Sequence, residues 1–239
     1  MSDYDQTLYT NTHSLMLNIK AIKKFRANGG KFAIVTGRNY DRIKSETEKY
    51  RIPYDYLSCV DGSVLYDKND NVIKSYLLNK EMCETFKNKI DNKSDIEMII
   101  MRENNVNNIN NVIQCYYDVT NYDKIEMLLK TIKKELINYP NLEASVLDFG
   151  IEKLLIVTKK NVSKKTAGID IANIENVSHS DIYCIGDHCN DIEMLEYFNG
   201  YAMKNGEEKA KRVSLGLYNN VRELIYDLSY NKILLKKRG

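Results

Sequence analysis

Residues 32–38, Phe-Ala-Ile-Val-Thr-Gly-Arg, decide the fold class of this chain. A short apolar run that stops at a polar turn is typical of a buried strand. Apolar residues at helical spacing predict a helix on each side of it, over about 14–27 and over about 40–50. Helices that alternate with short buried strands indicate a parallel sheet covered on both faces, which is an α/β fold.

The same alternation is present towards both ends of the chain. A second strand is predicted at 56–60, before the polar turn 61–63. After residue 162, a helix is predicted over about 164–174, then a strand at 182–185 and a short one at 201–203. Both ends are therefore expected to build one α/β core.

Residues 78–158 have a different pattern. Twice a helix is followed by two strands, and the strand pairs are joined by the asparagine-rich loop 103–111 and by a turn around Gly150. Strands joined in this way favour an antiparallel sheet. The predicted domains are a core of residues 1–77 and 159–239 and an inserted α+β unit of residues 78–158.

Length and charge limit the possible partners. The 239 residues include 43% apolar residues, which is enough for a packed interior. Lysine and arginine number 35 against 33 acids, so the net charge of +2 gives no electrostatic argument for a nucleic acid or membrane partner. No apolar run approaches the ~20 residues that span a bilayer, and no signal segment is recognised. We expect a cytoplasmic protein that is a monomer or a weak homodimer.

The five cysteines lack C-x-x-C spacing, which argues against a disulfide framework and against a structural zinc site. His188 and Cys189 are adjacent, but two adjacent residues cannot supply the tetrahedral set that zinc takes. The sequence therefore predicts reduced thiols and argues against a transition-metal site.

Four polar clusters carry the chemistry. The first is the pair Asp3 and Asp5, whose carboxylates can meet because alternate residues of an extended segment face the same way. The others are 36–38, Lys164 and 187–191, which lie at strand ends or at a helix start, where an open parallel sheet binds ligands. Carboxylates without soft ligands favour Mg²⁺, which often bridges to a phosphate.

Phosphoryl transfer needs a nucleophile, charge neutralisation and a proton for the leaving group. Asp3 is the candidate nucleophile, and Asp5 is the candidate that protonates the leaving group and later activates water. Thr36 and Lys164 are candidates to hold the phosphate oxygens, and Asp187 can hold the ion together with Asp3. Each residue also has a structural alternative, such as a strand end, a surface lysine or a helix cap. Their joint order along the chain favours a site.

This ordered set resembles the haloacid dehalogenase (HAD) superfamily of phosphatases. The matching motifs are D-x-D-x-T at 3–7, T-G-R at 36–38, Lys164 at a helix start, and G-D-x-x-N-D at the beginning of 186–195. The segment 186–195 and Ala-Met-Lys-Asn at 202–205 resemble the Cof-type branch. The resemblance covers nearly the whole chain. It implies a Rossmann-like core with a three-layer parallel sheet and an inserted α+β cap of type IIB.

The resemblance also implies roles for individual residues. Asp3 matches the nucleophile and a Mg²⁺ ligand, Asp5 matches the acid/base and a metal ligand through its backbone carbonyl, and Asp187 matches the third metal ligand. Asp191 is expected to orient Lys164 or a metal-bound water. The positions expected to hold phosphate are Thr36, Gly37, Arg38, Lys164 and Asn190, although Arg38 also fits an exposed helix start. Val-Ser-Lys at 162–164 favours Lys164 over Lys165.

The expected activity is magnesium-dependent hydrolysis of a small phosphate monoester, because Asp5 can transfer a proton. Sugar phosphates are the usual substrates of the family, and nucleotide or cofactor phosphates are further classes. Two alternatives stay open. One is a phosphomutase, which retains the aspartyl-phosphate, and the other is a weakly active or non-catalytic phospho-ligand binder.

Three departures from the family pattern affect these expectations. Only Met1 and Ser2 precede Asp3, whereas a typical strand has ~5 to 6 residues. We therefore expect either a truncated chain, which is favoured, or a strand reduced to a stub that holds the nucleophile poorly. Gln6 replaces a common glycine at a turn. Asp61 stands where many relatives carry asparagine, which puts a substrate contact there in doubt.

Overall fold

The computed structural model describes residues 1–103, 105–106, 111–148, 150 and 152–237. The chain divides into a core unit, Met1–Lys74 with Ser163–Gly239, and an inserted unit, Ser75–Val162. The insertion predicted at 78–158 lies within the second of these. Each unit has its own sheet, so the chain is an α/β core interrupted by an α+β segment.

The elements follow one another in three groups. The first group is α1 (Thr12–Ala27), β1 (Ala33–Val35), α2 (Tyr40–Tyr50), β2 (Tyr56–Cys59), β3 (Val64–Asp67) and β4 (Val72–Ser75). The second is α3 (Lys80–Asp91), β5 (Ile99–Arg102), β6 (Val112–Asp118), α4 (Ile125–Leu136), β7 (Leu142–Asp148) and β8 (Lys153–Lys159). The third is α5 (Lys164–Glu175), β9 (Tyr183–Gly186), α6 (Ile192–Tyr197), β10 (Asn199–Met203), α7 (Glu208–Val213), β11 (Leu217–Tyr218) and α8 (Val221–Lys237).

The core sheet is parallel through most of its width. β1 pairs in parallel with β2, β9 with β10, and β10 with β11. Strands β1, β2 and β9 are short and almost fully buried, as the apolar runs predicted. Helix α1 buries Leu15, Ile19 and Ile22, which recur at helical spacing, and it packs against α8. These features give the Rossmann-like core that the sequence predicted.

A single residue joins the two halves of this sheet. Ser2 forms parallel bridges to Ile34 of β1 and to Ile185 of β9. Its N–H donates to Ala33 O at 2.9 Å, and its carbonyl accepts from Val35 N–H at 2.9 Å. On the other side, Ile185 donates its N–H to Met1 O at 3.1 Å, and its carbonyl accepts from Asp3 N–H at 3.0 Å. The short segment before Asp3, called the stub below, is therefore hydrogen-bonded on both sides.

A cavity of about 340 Å³ lies beside this stub. It is lined by Met1 and by residues at the starts of β1 and β9, among them Phe32, Ile182 and Tyr183. The ammonium group of Met1 donates to Tyr183 O at 2.6 Å, and burial lowers the pKa of this amine.

One edge of the core sheet differs from the prediction. β3 pairs antiparallel with β2, and β4 lies beside β3, so this edge is not parallel. Strands β3 and β4 were not predicted from the sequence. Runs of four residues are too short for periodicity to separate a buried strand from other buried segments.

The inserted unit is an antiparallel sheet with two helices, as predicted. Its strand order is β5-β6-β8-β7, and each neighbouring pair is antiparallel. Phe86 and Ile90 of α3 and Leu128 and Ile132 of α4 join one buried apolar cluster with the sheet. Of the predicted loop 103–111, residues 104 and 107–110 lie outside the described part of the chain.

Among the described residues, no helix is both long and apolar enough to cross a membrane.

We expect Ser2→Pro to destabilise the core unit. Proline lacks the N–H that bonds Ala33 O, and a buried carbonyl left without a partner costs about 1–3 kcal/mol. Ser2→Ala is the matched control, because it keeps both backbone bonds and loses only the hydroxyl that donates to Asp3 O. Urea unfolding of the two variants measures the difference. Equal stabilities would mean that the Ser2 bridge does not hold the sheet halves together.

Candidate active site

Three separate segments place charged side chains in one buried cluster. Asp3 directly follows the Ser2 bridge, Lys164 is the first residue of α5, and Asp187 directly follows β9. Asp191 comes one turn later, before α6. The carboxyl ends of β9 and of the stub meet at the same edge of the sheet, which explains why these segments converge.

Lys164 lies at the centre of this cluster. Its Nζ donates to Asp3 Oδ1 at 2.6 Å and to Asp191 Oδ1 at 2.7 Å. Lys164 is 1% exposed, Asp3 6% and Asp191 0%. A charge buried this deeply is stable only when it is paired and hydrogen-bonded. Lys165, the sequence alternative, instead pairs with Glu193 at the surface.

The Asp191 side chain accepts hydrogen bonds from the backbone of the turn after β9. Its Oδ2 accepts from the N–H groups of Asp187 at 2.9 Å and of His188 at 3.0 Å. A Cβ atom at Gly186 would lie 2.4 Å from Asp191 Cγ, so this close approach requires glycine. Asp191 therefore presents Oδ1 to Lys164, and its predicted part in orienting this lysine stays a prediction.

Thr7 also belongs to this cluster, although no role was predicted for it from the sequence. Its Oγ1 donates to Asp187 Oδ1 at 2.5 Å, and Thr7 is fully buried. The signal was present, because Thr7 is the third alternate residue of D-x-D-x-T. Gln6 has a φ of 59°, in the left-handed region, which fits the turn expected at that position.

Negative charge exceeds positive charge in the cluster. Burial raises the pKa of Asp3 well above its usual value, and Asp191 and Asp187 raise it further while Lys164 opposes them. Burial also raises the pKa of Asp187. Burial opposes protonation of Lys164, but Asp191, Asp3 and Asp61 outweigh it and raise the lysine pKa well above its usual value. An added cation would relieve this imbalance.

The carboxylates provide a donor set for such a cation. Oxygen atoms of Asp3, Asp187 and Asp191 all lie within 4.8 Å of one another, and all three residues are buried. Hard oxygen ligands fit Mg²⁺, which keeps several waters and binds few carboxylates. Asp3 and Asp187 are the side-chain ligands predicted from the sequence, and Asp191 is the additional carboxylate that the structure brings to them.

Asp5 lies apart from this set and pairs with Arg38. The two form parallel hydrogen bonds, Nε to Oδ2 at 2.8 Å and Nη2 to Oδ1 at 2.6 Å. The Arg38 guanidinium also lies over the Tyr4 ring, 4.9 Å from its centre. Burial opposes protonation of Arg38, but Asp5 outweighs it and raises the arginine pKa. The predicted acid/base thus contacts a predicted phosphate-binding residue.

The remaining predicted phosphate-binding residues meet at Asp61. Asn190 Nδ2 donates to Asp61 Oδ1 at 2.9 Å, and Asp61 N–H donates to Thr36 O at 3.0 Å. A Cβ atom at Gly37 would lie 3.3 Å from Asp61 Oδ2. Asp61, for which a substrate contact was in doubt, therefore lies against three residues that were predicted to bind phosphate. Burial raises its pKa, while Lys164 and Asn190 oppose this.

A strained turn positions Asp61. Val60, Asp61 and Gly62 have φ values of 47°, 49° and 97°, and a β-branched residue rarely adopts positive φ. A Cβ atom at Gly62 would lie 2.2 Å from Ser163 O, so only glycine fits against the residue before Lys164. Strain of this kind persists where the surrounding structure fixes the backbone.

Comparison with known proteins shows the family of this chain. A family model described as haloacid dehalogenase-like hydrolase matches residues 1–127 and 106–221. An uncharacterised protein of Mycoplasma capricolum is 30% identical, and the alignment covers 94% of this chain and 98% of that protein. A Buchnera aphidicola protein, whose name assigns it provisionally as a phosphatase, is 26% identical over 99% of this chain and 98% of its own length.

Solved structures show the same fold. A haloacid dehalogenase-like hydrolase from B. subtilis superposes with a TM-score of 0.77 at 15% identity, covering 94% of this chain and 98% of that one. A phosphatase of the haloalkanoate (HAD) superfamily from Bacteroides thetaiotaomicron superposes with a TM-score of 0.75 at 21% identity, covering 96% and 92%. The architecture of both units is therefore that of a known group of structures.

We expect Lys164→Met to destabilise the metal-free protein by about 3–5 kcal/mol, because it leaves Asp3 and Asp191 buried without their cation. Lys165→Met is the matched control. It removes a partly exposed pair with Glu193 and should cost less than about 1 kcal/mol. Urea unfolding with a chelator present measures both. Similar losses in the two variants would show that the buried lysine does not hold the cluster.

Proposed function

Since the chain belongs to the haloacid dehalogenase-like hydrolase family, we propose that it is a magnesium-dependent phosphatase that hydrolyses small phosphate monoesters through an aspartyl-phosphate on Asp3. The observation that carries the proposal is the buried cluster in which Lys164 bonds both Asp3 and Asp191. Asp187 completes a set of carboxylate oxygens that suits Mg²⁺. When bound, Mg²⁺ would neutralise charge on the transferring phosphoryl group.

Asp3 is the proposed nucleophile. Lys164 holds its Oδ1, which limits rotation of the carboxylate and fixes its direction. In the first step an Asp3 oxygen forms a bond to phosphorus while the bond from phosphorus to the leaving oxygen breaks. Water then attacks the phosphorus atom, and inorganic phosphate leaves with the Asp3 carboxylate restored.

Asp5 is the proposed proton donor and acceptor. It gives a proton to the leaving alkoxide in the first step and takes one from the attacking water in the second. In this structure the Asp5 carboxylate is held by two parallel hydrogen bonds from Arg38. A bound phosphate ester would compete for the Arg38 guanidinium, which prefers such bidentate anions, and would thereby free Asp5 to turn to the leaving group.

The residues that we propose to bind the phosphate group lie close to one another. Thr36, Gly37 and Asn190 surround Asp61, and Lys164 supplies the buried positive charge. Asp61 would act by orienting the Asn190 amide rather than by touching the phosphate, since a carboxylate and a phosphate repel each other.

The substrate class proposed is a small sugar phosphate, with nucleotide or cofactor phosphates as further classes. The inserted unit would act as the cap that selects the leaving group. We place the enzyme in the cytoplasm as a monomer or a weak homodimer, without a nucleic acid or membrane partner.

We expect phosphate release from a panel of sugar, nucleotide and cofactor phosphates to require Mg²⁺. Asp3→Asn should abolish turnover, because it removes the nucleophile. Asp5→Asn should lower kcat by about 10²–10⁴, the usual contribution of general acid–base catalysis. Asp41→Asn, at an exposed position of α2, is the control and should keep its activity.

Three outcomes would contradict the proposal. Turnover of Asp3→Asn at the wild-type rate would exclude the covalent route. Isomerised sugar phosphate without inorganic phosphate would identify a phosphomutase. Ligand binding without any product would identify a phospho-ligand binder.

A further inference from the structure

A second group of metal-ligating side chains lies next to the buried carboxylates. His188 Nε2 is 3.0 Å from Glu207 Oε1, and His188 Nδ1 is 3.3 Å from Cys189 Sγ. One ligand atom from each of the three residues lies within 4.8 Å of the other two. None of these residues has a part in the proposed hydrolysis, so the group requires a separate explanation.

We propose that His188, Cys189 and Glu207 form a binding site for a transition-metal dication of the zinc type. A thiolate, an imidazole nitrogen and a carboxylate are the ligands that Zn²⁺ takes, and three protein ligands with water in the fourth position are a common arrangement. The two contacts involve opposite nitrogens of the His188 ring, and only one of these nitrogens binds the ion. Ligand atoms that lie up to 4.8 Å apart must therefore move to the separation of roughly 3.5 Å found between ligands of a tetrahedral shell with bonds of ~2.0–2.3 Å. Rotation of the Cys189 and Glu207 side chains, neither of which is buried, would supply this movement.

Glu207, the third proposed metal ligand, was not predicted from the sequence. Two adjacent residues, His188 and Cys189, cannot make a tetrahedral set, and Glu207 lies almost twenty positions further along the chain. The fold fixes it there by backbone contacts: Glu207 N–H donates to Asp187 O at 2.8 Å. A Cβ atom at Gly206 would lie 2.8 Å from the same oxygen. The backbone of the third ligand is therefore held beside His188, and its side chain stays free to move onto an ion.

Ligand chemistry separates this site from the carboxylate cluster. Asp3, Asp187 and Asp191 offer only hard oxygen atoms, which suit Mg²⁺. Sulfur and imidazole nitrogen are softer and select zinc-type ions over Mg²⁺. The two sites are neighbours, because His188 N–H donates to Asp191 Oδ2, yet each has its own preferred ion.

An ion can reach the second site from solvent. The side chains of His188 and Glu207 are 17% and 42% exposed. Of the five cysteines, Cys189 is the one that is not buried. The thiol is therefore accessible, and water can occupy a fourth position. Metal binding here does not depend on the proposed phosphatase activity.

Titration with Co²⁺ tests the site directly, because a cobalt–thiolate bond gives a charge-transfer absorption band that oxygen ligands do not give. With Mg²⁺ in excess and the thiols kept reduced, we expect one such Co²⁺ per chain, displaced by Zn²⁺. Cys189→Ser should lose the band. Glu207→Gln should weaken Co²⁺ binding by about tenfold or more. Mutation of a residue that only hydrogen-bonds to a metal ligand already lowers metal affinity by roughly 10–100-fold.

The control variants distinguish loss of this metal site from an effect at the carboxylate cluster and from unfolding of the protein. Glu208→Gln changes the neighbouring carboxylate, which pairs with Lys211, and should leave Co²⁺ affinity unchanged. Asp3→Asn should leave the band intact. Thermal unfolding shows whether each variant is folded, and Glu207→Gln at an exposed position provides the test if Cys189→Ser unfolds. Absence of the band in the wild type, its persistence in Cys189→Ser, or unchanged affinity in Glu207→Gln would overturn the proposal.

Discussion

One ammonium group, Nζ of Lys164, forms hydrogen bonds to two of the chain segments that build the site. It bonds Asp3, which is 161 positions away in the chain, and Asp191, and the second oxygen of Asp191 holds the backbone of the turn after β9. Because all three side chains are buried, removal of Lys164 would leave two carboxylates away from water without their cation. The position of the Asp3 side chain therefore depends on this lysine as well as on the stub that precedes it.

The charge balance of the cluster supports the proposal that it binds a cation. Carboxylates outnumber the ammonium, and burial raises the pKa values of Asp3 and Asp187. A phosphate ester is also an anion and would be repelled by such a site. A divalent cation between the carboxylates and the phosphate would reduce this repulsion, which supports the proposed requirement for Mg²⁺.

The sequence predicted the α/β core, the α+β insertion and the segments that supply the cluster, because strand-end motifs are local and converge in any parallel sheet. It could not predict contacts that depend on side-chain packing between distant segments. The pairing of Asp5 with Arg38, the contact of Asp61 with Asn190 and the approach of Glu207 to His188 are of this kind. Strands β3 and β4 were missed because four residues carry too little periodic signal.

The central claim is that Asp3 carries the phosphoryl group during turnover. Rapid quenching during hydrolysis of p-nitrophenyl phosphate with Mg²⁺, followed by borohydride reduction, converts an aspartyl-phosphate to homoserine, which peptide mass spectrometry locates. The proposed mechanism predicts homoserine at position 3 only, and only when substrate is present. Turnover without modification at position 3, or with modification at another carboxylate, would contradict it.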